Sequence, residues 1–181
     1  MKTLPEGIRK NKEAVAETVE NNVRKLIIDE SPINPRYYEK MSELLDALIK
    51  QRRAEAISYE EYLLKIVELT RKAKNPAVGG AYPPALNTPA RKALYDNLGR
   101  NEAFALQVDA AVRAFRQDDW RNNIFKVKKL RGAVWTAFEM FKKETGSYPL
   151  LGRDSQTGKP ADMIEELVDE TMSLVRNQNE Y

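Results

Sequence analysis

Val15, Val19, Val23, Leu26 and Ile27 recur at intervals of three and four against a charged background, the signature of one buried helix face from Ile8 to about Glu30. Ser31-Pro32 stops that helix, because proline disfavours helical dihedrals in the residue before it and brings no amide donor. Asn34 is then a good N-cap and Pro35 fits the first helical position, where a missing donor costs nothing. Tyr37, Met41, Leu44, Leu45 and Leu48 form the apolar stripe of this second helix. Ser58 with Glu61 three residues later is a capping box that opens a third, with Tyr62, Leu63, Ile66, Val67 and Leu69 as its stripe.

The stretch Asn75 to Asn87 breaks the periodicity with three prolines and two adjacent glycines, so it reads as a linker between two helical subdomains, 1–74 and 88–181. Thr88-Pro89 restarts a helix that Gly99 can close in the left-handed conformation. A fifth helix carries Phe104, Val108, Ala111, Val112 and Phe115. The sixth is expected to be the longest, capped by Asp118, lined by Trp120, Ile124, Val127, Val134, Phe138 and Phe141, and ended by Gly146. Residues 148–160 read as a polar loop, and Met163, Ile164, Leu167, Val168 and Leu174 mark a last helix. No stretch alternates with the period of a strand. The fold class is all-α, a bundle of about seven helices arranged as two packed subdomains.

Composition narrows the chemistry. The chain has 181 residues, 42% hydrophobic and 31% charged, with a formal net charge of +3 and a pI near 9.0. Such a balance permits an anionic partner without demanding one. It has no cysteine and no histidine, which removes disulfides, thiolates, the usual base near neutral pH and the Ser-His and Cys-His pairs. There is no charged-then-apolar leader at Met1 and no apolar run near the length of a membrane span, so a cytoplasmic location is expected.

Few motifs remain. Gly152 to Pro160 resembles a phosphate-binding loop only loosely: five residues rather than four separate Gly152 from Gly158, and Pro160 stands where a magnesium-binding hydroxyl belongs. The acidic pairs Glu60-Glu61, Asp118-Asp119 and Glu165-Glu166 fall at or near expected helix starts, where carboxylates are favoured by the dipole. Arg52-Arg53 and Arg71, Lys72 and Lys74 stand at helix C-termini, where cations are favoured for the same reason. The basic run from Arg121 through Lys126, Lys128 and Lys129 to Arg131, joined by Arg113 and Arg116, is the candidate contact for DNA or an acidic protein surface. In that arrangement Ile124, Phe125 and Val127 point to the core. Trp120 and Trp135 read as core residues rather than stacking platforms. Tyr37 and Tyr38 are adjacent and cannot share one helix face, which makes one of them a marker of a partner surface.

The phrases Glu20-Asn21-Asn22-Val23-Arg24-Lys25, Tyr37 to Leu45 and Ala56 to Leu63 resemble the helical region near the C-terminus of the R (motor and restriction) subunit of type I restriction enzymes. The likeness continues more thinly through Thr88-Pro89-Ala90, Ala93 to Gly99, Asp118 to Arg121 and Asn177 to Tyr181. In that family the nuclease and ATPase motifs lie upstream, so the resemblance implies a non-catalytic piece of an ATP-driven DNA translocase and endonuclease. It implies the methyltransferase (M) and specificity (S) subunits as partners. The ATP and magnesium of the parent fall to no residue of this chain, and no cofactor is expected in it.

Overall fold

The computed structural model describes residues 6–76, 82–149 and 160–181. The protein is all-α: among the described residues there are seven α-helices and no strand. They are α1 (Glu6–Glu30), α2 (Pro35–Arg53), α3 (Tyr59–Lys74), α4 (Pro89–Asn97), α5 (Glu102–Phe115), α6 (Ile124–Thr145) and α7 (Pro160–Arg176), with a 3-10 turn at Trp120–Asn122. The chain divides into two compact units. One is built from α1, α2 beyond its first residue and α3. The other takes residues 32–35 together with everything from Tyr82 onward.

In the first unit α1, α2 and α3 bury Val23, Ile27, Tyr38, Met41, Leu45, Tyr62, Ile66 and Leu69. The capping box at Ser58 forms as its spacing predicts, the Glu61 amide donating to Ser58 Oγ at 3.1 Å. A buried polar contact joins the three helices. Glu20 of α1, only 4% exposed, accepts from Arg52 Nε at 2.8 Å and from the Tyr62 hydroxyl at 3.1 Å. Arg52 therefore does more than complement the C-terminal dipole of α2. A carboxylate taken out of water has to be paired, and this guanidinium supplies the charge.

The second unit surrounds Phe104, whose ring meets Phe138 edge-on at 5.0 Å and Phe141 at 4.4 Å, with Val108, Val112, Leu130, Val134 and Val168 fully buried around them. Thr88 caps α4 by accepting from the Arg91 amide, and Asn101 caps α5 by accepting from the Phe104 amide. Gly99 (φ 70°) and Gly146 (φ 84°) take the left-handed dihedrals that end α4 and α6. Leu86 is 1% exposed in this core and Tyr82 packs against it, so these two residues anchor the 82–87 part of the expected linker to the second unit. Residues 32–35 join the same unit. Asn34 donates to Asp96 at 2.8 Å and accepts from Asn97 at 2.7 Å, while Asn177 and Gln178 donate to the carbonyls of Pro32 and Ile33.

Several expectations are corrected. The longest helix is α1, with 25 residues against 22 in α6. The cap of α6 is Asn123, which accepts from the amides of Phe125 and Lys126; Asp118 lies outside the helix. Asp119 sits at φ 55°, which breaks the backbone there, and the 3-10 turn carries Trp120 into the core on its own. The four-residue spacing of Trp120 and Ile124 imitates one helix where there are two elements. Leu44, Val67 and Phe115 are solvent-exposed, each lying to the side of its helix away from the packed stripe.

Candidate docking surface

The core side of α6 is fixed by Leu130, Val134, Ala137 and Phe138. Extended back by helical steps, that side passes through Val127, which is half-buried, and misses the two residues at the helix start. Ile124 is accordingly 64% exposed and Phe125 79% exposed, a correction to their expected burial. Phe125 begins a row with Lys129, Gly132, Thr136, Met140 and Lys143, all exposed and separated by steps of three or four. Lys128 lies alongside. Near the far end, Thr136, Met140, Lys143 and Gly146 border an open hollow of about 470 Å³.

The basic residues do not act together. Arg121 turns inward and donates to three main-chain oxygens, those of Arg176 (3.0 Å), Gln178 (2.7 Å) and Tyr181 (2.7 Å), with its guanidinium 4.9 Å from the Trp120 ring. Lys126 donates to the Asp118 carbonyl at 2.7 Å. Arg131 pairs with Asp169 at 2.8 Å and Glu165 at 3.4 Å, bracing α6 against α7. Arg113 pairs with Asp109 and Glu180. Of the seven candidate cations, Arg116, Lys128 and Lys129 have neither an ion pair nor a side-chain hydrogen bond with any described residue, and these are the ones left for an external anion.

Asp109 is the centre of the cluster that takes Arg113. Its carboxylate is buried between α4 and α5 and accepts from Arg91 Nε at 2.8 Å, from Arg113 Nε at 2.9 Å and from the Tyr181 hydroxyl at 2.5 Å. Burial pushes this carboxyl up, but the hydrogen bonds from Tyr181, Arg113 and Arg91 outweigh it and hold the group below the usual carboxylate range. Burial and the adjacent carboxylate drive the Tyr181 phenol strongly upward, so it stays protonated and donates. Glu180 completes the arrangement by accepting from the Ala90 amide at 2.9 Å. Of its partners only Arg113, four residues on, is legible in the local pattern of Asp109; Arg91 and Tyr181 are not. The group Asn177 to Tyr181 stood out only through the family resemblance.

Tyr37 and Tyr38 are both buried, at 7% and 4% exposure, which corrects the expectation that one of them marks a partner surface. Their hydroxyls donate to the carbonyls of Lys72, which also accepts from the Asn75 amide, and of Ala73 in the last turn of α3. Adjacent positions can both be buried because each long phenol reaches a different acceptor. Trp120 is buried and Trp135 half-buried against the core, as expected. The acidic pairs hold structural bonds: Asp119 accepts from Asn122 and Glu61 pairs with Lys65 locally, and Glu165 pairs with Arg131 of α6. Residues 152–159 of the glycine loop lie outside the described residues.

Among the described residues, no group of three or more acidic side chains is placed to hold a metal ion, and no helix is long and apolar enough to cross a membrane. Comparison with protein families, with curated proteins and with solved structures finds no match.

Proposed function

We propose that this chain is a non-catalytic assembly domain, corresponding to the C-terminal helical region of a type I restriction enzyme R subunit, which docks the motor onto the methyltransferase core in the cytoplasm. The resemblance in residues 20–63 supplies the family, and one structural observation supports docking as the role: Ile124 and Phe125 stand exposed at the head of α6 while Arg121 and Arg131 beside them are taken up by internal acceptors. Large exposed apolar side chains are characteristic of protein contacts. The test is analytical ultracentrifugation of the parent R subunit, with and without this region, mixed with its M and S subunits. Loss of the complex on deletion is expected; an unchanged complex overturns the reading.

A second reading, contact with duplex DNA, draws on Arg116, Lys128 and Lys129. It requires binding that falls steeply with added salt as condensed counterions are released. Three unpaired cations give a slope of only about −3 in log K against log salt, so gel shifts across a salt series separate it from protein docking.

A further inference from the structure

The outer face of α6 carries two features that together restrict what can cover it. Its ends are apolar: Ile124 and Phe125 at the start and Met140, 48% exposed, four turns on. Its charge is mostly positive. Lys128, Lys129 and Lys143 have no ion pair with any described residue, and the exposed acid Glu139, which accepts from the Tyr148 hydroxyl at 2.5 Å, lies among them. The row from Phe125 to Lys143 spans about 27 Å at 1.5 Å per residue.

We propose, building on the assembly role above, that this face is the docking surface for an acidic amphipathic helix of a partner subunit, laid along α6 between Phe125 and Lys143. A helix with apolar residues at both ends of one face and glutamate or aspartate between them would cover Phe125 and Met140 and neutralise the three lysines. One apolar side chain of that helix would enter the hollow bordered by Thr136, Met140 and Gly146. Gly132 lies at the middle of the row, and a Cβ built there meets nothing within 4 Å. Internal packing therefore gives no reason for glycine in this exposed turn, where it weakens the helix. A partner backbone crossing close to α6 at this point gives one. Two alternatives fit less well. A second copy of the same face would set lysine against lysine, and a DNA backbone would leave Phe125, Ile124 and Met140 uncovered.

The test uses the 181-residue chain and the purified core of M and S subunits, with Kd measured by calorimetry and hydrogen exchange mapped on the complex. Two variants probe the face by different means: Lys128→Glu with Lys129→Glu reverses its charge, and Gly132→Leu blocks the close approach while favouring the helix. Circular dichroism melts establish that each is folded. The proposal expects at least a tenfold weaker Kd for both variants and amide protection along 125–143 in the wild-type complex. Wild-type binding that neither variant weakens overturns the α6 surface while leaving the assembly role intact. Absence of wild-type binding overturns the assembly role and this surface with it. Variants that keep the core but lose low-salt binding to a duplex oligonucleotide assign the face to nucleic acid instead.

Discussion

The Tyr181 hydroxyl donates to Asp109 Oδ1 at 2.5 Å, joining the last residue of the sequence to the second turn of α5 in the buried interior of the second unit. The bond has a charged acceptor that also holds Arg91 and Arg113, so its partners differ in what their loss exposes. Tyr181→Phe removes one donor and leaves Asp109 paired; the expected loss is about 1.5–3 kcal/mol, the range for hydrogen bonds to charged groups. Asp109→Ala leaves the buried phenol without its acceptor and takes the shared carboxylate from two guanidinium groups, although Arg113 keeps Glu180 and Arg91 keeps the Ala85 carbonyl and the Asn87 side chain; about 3 kcal/mol is expected, the lower end for a broken buried pair. Urea melts of the two variants and of the double variant check this. A double variant no worse than Asp109→Ala is the expected outcome, since both changes act on one network.

The same cluster sets the acid limit. A carboxyl held below its ordinary value in the fold contributes stability that is complete above the unfolded pKa of about 3.9 and is lost as pH falls through the lower folded value. Asp109→Asn flattens this acid limb of stability against pH. A limb of unchanged slope in the variant assigns acid unfolding to other carboxylates.

The alkaline limit has the opposite sign and another cause. Burial first, then nearby carboxylates, raises the phenols of Tyr62 and Tyr181 strongly, while burial with the charge of Glu30 raises Tyr38 to about 12. A group raised in the fold stabilises fully below its unfolded value, here about 10, and loses that contribution as pH climbs toward the folded one. Stability is expected to fall above about pH 10, with these three tyrosines ionising together with unfolding. Ultraviolet tyrosinate absorbance recorded beside circular dichroism follows both events in one titration.

Glu20→Ala in the first unit leaves Arg52 buried at 11% side-chain exposure without its closest carboxylate. Glu13 lies at 3.9 Å and is itself half in solvent, so it compensates little. The expected destabilisation is about 3 kcal/mol, at the lower end for a broken buried pair. Hydrogen exchange should report faster opening of α1, α2 and α3.

The start of α6 separates two capping residues. Asn123→Ala removes the acceptor for two amides and is expected to cost about 1 kcal/mol, while Asp118→Ala stays within about 0.5 kcal/mol. Gly132→Ala, whose new methyl meets open space, raises stability by about 0.5–1 kcal/mol. Thermal melts of the three variants give the order directly.

Local patterns carried much of this fold because their causes are local. The stop at Ser31-Pro32, the Ser58 and Thr88 caps and the left-handed Gly99 and Gly146 each follow from the dihedral or hydrogen-bonding needs of a few consecutive residues. Periodicity likewise marked Val134 and Phe138 for the core side of α6, because helical spacing alone puts them together. The same pattern failed at Trp120 and Ile124, whose spacing is helical although the extended Asn123 divides them.

For the candidate site, sequence determined the basic run of 121–131 and its helical character, and no more. Which charges point outward was decided by tertiary structure, because a guanidinium reaches whatever acceptor the fold brings to it. Arg121 meets the main-chain oxygens of 176–181 some 55 to 60 residues away, and Asp109 gathers partners from α4, α5 and Tyr181. Apart from the four-residue step to Arg113, those separations along the chain lie beyond any local pattern. Lys128 and Lys129 keep their outward charge because no acceptor among the described residues reaches them.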